Sequence, residues 1–64
     1  MNEERIKFVL LTAISGVKTY IRVDAIVQLV EEDDKTYLYT INDSAPMIVK
    51  EHMEEIVAKI GDTL

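Results

Sequence analysis

The chain predicts an α+β fold: a small antiparallel β-sheet, or a partly closed barrel, of four to five strands with one C-terminal helix. Three observations predict it. Apolar residues alternate with a period of two through most of the chain up to Lys50, the period changes to 3.6 after it, and turn formers separate the apolar runs. The 64 residues are 48 % hydrophobic, with two Gly, one Pro, no Cys and a formal net charge of −5. No linker or internal repeat divides them, so one domain over residues 1–64 is expected.

The first strand is read from Arg5 to Thr12, with Ile6, Phe8 and Leu10 on one face and Val9 and Leu11 on the other. Ser15-Gly16 breaks it. The second strand, Val17 to Val23, has the cleanest alternation: Val17, Thr19, Ile21 and Val23 on one face, Lys18, Tyr20 and Arg22 on the other. Asp24 is expected to cap one helical turn that leads into a third strand from Ile26. The acidic tetrad Glu31-Glu32-Asp33-Asp34 with Lys35 reads as a hairpin tip. Thr36 to Ile41 completes that hairpin, with Tyr37, Tyr39 and Ile41 on one face.

Asn42-Asp43-Ser44 is a turn cluster, and Pro46 places the short fifth strand, Met47 to Lys50, at an edge or just after the proline. Met53, Ile56, Val57 and Ile60 then stand at i, i+3, i+4 and i+7, one apolar face of an amphipathic helix. Glu51, Glu54 and Glu55 oppose its positive N-terminus, Glu55 and Lys59 form an i,i+4 pair, and Gly61 sits where a C-terminal cap belongs.

Size turns this pattern into an expectation about assembly. A chain this short buries only about 60 % of the surface that its unfolded form exposes, and no disulfide adds to that. Several strands are apolar on both faces, whereas one helix covers one side of a sheet. The surplus is met by closure into a barrel or by a second copy, and a homo-oligomer is expected.

The inventory argues against an enzyme. Ser15 and Ser44 stand beside turn formers, His52 is the only histidine, and no nucleophile elbow or Gly-rich phosphate loop is present. No catalytic residue, cofactor or metal site is assigned: His52, Glu51 and Glu55 make at most half a metal site, and the acidic tetrad lacks the spacing of a calcium loop. Absent cysteines exclude thiol catalysis and cysteine-ligated zinc. The charge of −5 argues against non-specific nucleic-acid binding. No apolar run approaches the roughly 20 residues of a membrane span, and with no secretory or transit signal the expectation is cytoplasmic.

One surface attracts a partner reading. Lys18, Tyr20 and Arg22 place two cations around an aromatic ring, a pattern suited to a protein hot spot or to a base and phosphate. The competing reading is an ordinary cross-strand ladder with acids opposite.

Two family resemblances accompany this reading. Gly16 to Glu31, then Thr36-Tyr37-Leu38-Tyr39-Thr40, then Ile48-Val49-Lys50-Glu51-His52-Met53-Glu54-Glu55-Ile56-Val57 resembles the small FlbD-type flagellar and swarming-motility proteins. Asn42-Asp43-Ser44-Ala45-Pro46 stands where that family has a compact Gly-containing turn. The resemblance implies a regulatory, non-catalytic role in motility. The segment His52-Met53-Glu54-Glu55-Ile56 is similar to one in the carbon-storage-regulator RNA-binding dimers, but Met53 occupies the position of the RNA-contacting Arg. The sequence therefore predicts a small accessory protein acting through protein–protein contact. Alternatives are a nucleic-acid or nucleotide module on Lys18, Tyr20 and Arg22, and a small phage-type acidic inhibitor of a host enzyme.

Overall fold

The computed structural model describes residues 6–63; the expected start of the first strand at Arg5 lies outside them. Among these described residues, five antiparallel strands and one C-terminal helix give the expected α+β fold, arranged as two sheets that do not close into a barrel. One sheet is the hairpin β1 (Phe8–Thr12) and β2 (Lys18–Arg22). The other has β4 (Lys35–Thr40) between β3 (Ile26–Glu32) and β5 (Met47–Val49). An Ala13–Val49 bridge joins them, with Ile14 N–H donating to Ile48 O and Lys50 N–H to Thr12 O.

The turns follow local chemistry. Gly16, at φ +100°, closes the first hairpin in a conformation that a side chain would strain. Asp33 and Asp34, at φ +55° and +65°, form a two-residue turn whose twist matches the strands it joins. Between β2 and β3 lies a 3₁₀ turn, Val23–Ala25, but Asp24 does not cap it. The N-cap position falls on Arg22, and Asp24, inside the turn, instead takes the Arg22 guanidinium in a two-point pair. Pro46 directly precedes β5, an edge strand, as expected.

Helix α1 spans Met53–Thr63. Ile56 is fully buried and Met53 and Ile60 are partly buried, but Val57 is 57 % exposed. The helix rests on β1 and β3, and Val57, one step of about 100° around from Ile56, turns outward. Gly61 lies inside the helix with no left-handed φ, so it is not the expected cap. Val9, Leu11, Leu38, Val49 and Ile56 form the buried core, drawn from both sheets and the helix. Alternation explains the choice: Val9 and Leu11 face inward from β1, leaving Phe8 48 % exposed.

Candidate functional site

The hairpin register decides what surrounds the residues singled out in β2. Lys18 lies opposite Thr12, Tyr20 opposite Leu10, and Arg22 opposite Phe8. These six side chains share the outer face of the β1–β2 sheet, while Val9, Leu11, Thr19 and Ile21 share the inner one. No acid faces the cations across the strands, so the ladder with acids opposite does not form. The reason is compositional: residues 6–23 contain Lys7, Lys18 and Arg22 and no Asp or Glu.

The two cations differ. Arg22 Nε and Nη2 donate to Asp24 at 3.0 and 2.8 Å, a two-point ion pair at the surface. The hydrogen bond from Arg22 holds the Asp24 carboxyl below its ordinary value. Lys18 makes no ion pair among the described residues. Tyr20 is 68 % exposed, and with Phe8 it presents aromatic surface to solvent.

Beside this face runs a cleft of about 360 Å³ between the hairpin and the segment after β4. Phe8, Tyr20 and Arg22 line one side, Ile41, Asp43 and Met47 the other. Ile41 is 52 % exposed, and the Asp43 carboxylate accepts a hydrogen bond from the Thr40 hydroxyl. Phe8, Leu10 and Ile41 are the residues that sequence reasoning missed. The signal that finds Phe8 and Leu10 is the Ser15-Gly16 turn, which sets their pairing with Arg22 and Tyr20, whereas Ile41 arrives by its tertiary bond to Ala25 O and has no local signal.

The other candidates serve the fold. Both Glu51 carboxylate oxygens accept the Thr12 N–H, at 2.9 and 3.0 Å. Burial raises the Glu51 carboxyl, but the hydrogen bonds from Thr12 and the charge of Lys59 outweigh it and leave it below its ordinary value. His52 N–H donates to Glu55 Oε1 at 3.1 Å, and His52 Nδ1 lies 3.1 Å from Glu31 Oε2. Thus Glu51, His52 and Glu55 are held toward three different partners, and no group of metal-ligating side chains forms among the described residues. Ser15 lies in an exposed turn and Ser44 in an exposed bend.

Compared with protein-family models, curated proteins and solved structures, the chain matches none. Both family resemblances therefore rest on the quoted residues alone.

Proposed function

We propose that this chain is a non-enzymatic accessory protein of the cytoplasm that works by binding another protein and does so as a homo-oligomer. The observation that carries the reading is the outer face of the β1–β2 hairpin, where exposed Phe8 and Tyr20 flank partly buried Leu10. Aromatic surface beside a cation is the composition of an interface hot spot. The resemblance to the motility proteins supports a regulatory role in flagellar or swarming function.

One observation favours a nucleic-acid reading: the three cations and absence of acids in residues 6–23. Against it, Arg22 is engaged by Asp24 and the whole chain carries −5. RNA titration at two salt concentrations separates the readings, since phosphate contacts weaken steeply with salt. No RNA binding at low salt is the expected result.

The direct test places a photo-cross-linking residue at Phe8, and separately at Lys35 on the acidic tip, in cells that encode the protein. A discrete adduct with a second protein at position 8, absent at position 35, is expected. If neither position gives an adduct other than with the chain itself, the reading is wrong.

A further inference from the structure

We infer that β2 pairs with β2 of a second copy of this chain, antiparallel about a twofold axis at Tyr20, joining two hairpins into one four-stranded sheet. This deepens the self-association part of the reading above and rests on it.

The hydrogen-bond alternation of the hairpin carries the inference. Val23 N–H donates to Lys7 O at 2.9 Å and Ala13 N–H to Val17 O at 2.8 Å, so the odd-numbered pairs bond across the hairpin. The N–H and C=O groups of Lys18, Tyr20 and Arg22 consequently point away from β1, toward a side where β2 has no strand neighbour among the described residues.

The other edges are covered or blunted. On the far side of β1, Glu51 takes the Thr12 N–H, Lys50 N–H donates to Thr12 O, and the Lys59 ammonium donates to Leu10 O at 3.0 Å. β3 has a bulge between Ile26 and Gln28 and ends in Glu31 and Glu32; β5 is three residues long and follows Pro46. These devices discourage strand addition. β2 has no bulge, no proline and no acid.

A second copy fits that edge in one register. Tyr20 opposite Tyr20 and Lys18 opposite Arg22 let each outward group meet its counterpart, for about six main-chain hydrogen bonds. On the outer face the two Tyr20 rings become direct cross-strand neighbours, and on the inner face Thr19 meets Ile21. The register sets Lys18 opposite Arg22 of the second copy, and the Asp24 carboxylate already paired with each Arg22 offsets that like-charge contact. The product is one continuous outer face carrying Phe8, Leu10 and Tyr20 twice.

The chain contains no cysteine, so single cysteines report the register. In this pairing the two Tyr20 Cα atoms are about 5.5 Å apart, within disulfide range, while the two Lys18 Cα atoms are about 14 Å apart. With oxidised glutathione, full-length Tyr20→Cys protein is expected to link into a dimer, with loss of the link in Lys18→Cys alone and in Arg22→Cys alone. Mixing the latter two proteins is expected to restore it. Sedimentation of the natural chain is expected at twice its 7.3 kDa mass. An oligomer whose Tyr20→Cys form links no better than Lys18→Cys overturns the β2 pairing and leaves self-association standing. A monomer at high micromolar concentration overturns both.

Discussion

Glu31 at the end of β3 holds His52 at the start of α1: its Oε2 lies 3.1 Å from His52 Nδ1, and its Oε1 accepts the Met53 N–H at 3.3 Å. A helix N-terminus leaves its first N–H groups without intrahelical partners and carries positive potential. Glu31 answers both from a distant strand, and Glu55 takes the His52 N–H as the N3 residue of a capping box does.

This pairing predicts a pH window. The hydrogen bond from His52 and the Met53 N–H hold the Glu31 carboxyl below its ordinary 4.5, and the hydrogen bond and charge of Glu31 hold His52 above its ordinary 6.5. Glu55 and Asp34, the other charged groups near the ring, add to the upward shift. The His52 contribution is complete below 6.5 and is lost as pH rises through its raised value; that of Glu31 is complete above 4.5 and is lost as pH falls through its lowered value. The melting-temperature difference between the natural chain and His52→Gln is therefore expected to peak between these limits and shrink on either side. An unchanged difference from pH 5 to pH 9 contradicts the pairing.

Glu51 closes the junction between the sheets by capping the edge of β1. Removing its carboxylate leaves the Thr12 N–H without its acceptor, and Glu51→Ala is expected to cost about 1 kcal/mol. Urea unfolding measures this, with Glu51→Gln retaining part of the stability through its amide oxygen.

The β3–β4 turn holds two aspartates at positive φ, a conformation that Asn-Gly adopts with less strain. The double variant Asp33→Asn, Asp34→Gly is expected to raise stability by about 1 kcal/mol while removing two negative charges. Thermal melting checks it, and a destabilised variant contradicts the turn geometry.

Ile56 reaches the core from the helix and is fully buried. Ile56→Ala is expected to cost about 2–5 kcal/mol, comparable to the roughly 3–5 kcal/mol available to a domain this small, so the variant is left marginally folded and loses its cooperative transition at far lower urea. Val57→Ala, on the exposed side of the same helix, is expected to change unfolding little. Circular dichroism of the two variants distinguishes the faces.

The periodicity change after Lys50 made the helix legible, and Pro46 and the acidic tetrad located the last strand and the second hairpin. Alternation assigned Val9 and Leu11 to a common face but left open which face was the core, because Phe8 and Leu10 are equally apolar. Packing against Leu38, Val49 and Ile56 decides it. Asp24 read as a cap because nothing local announces that the Arg22 side chain would turn back to it. Lys18, Tyr20 and Arg22 were placed on one face correctly, yet their neighbours Phe8 and Leu10 depend on hairpin register, a property of the turn at Ser15-Gly16. The anchoring of His52 by Glu31 spans 21 residues and has no periodic signal.

Amide hydrogen exchange along β2 tests the central claim most directly. Thr19 and Ile21 bond inward to β1, whereas the Lys18, Tyr20 and Arg22 amides point to the open edge. If two copies join there, all five amides exchange slowly, and protection of the Lys18, Tyr20 and Arg22 amides increases with protein concentration. Fast exchange at Lys18, Tyr20 and Arg22 at every concentration, with Thr19 and Ile21 protected, contradicts the account.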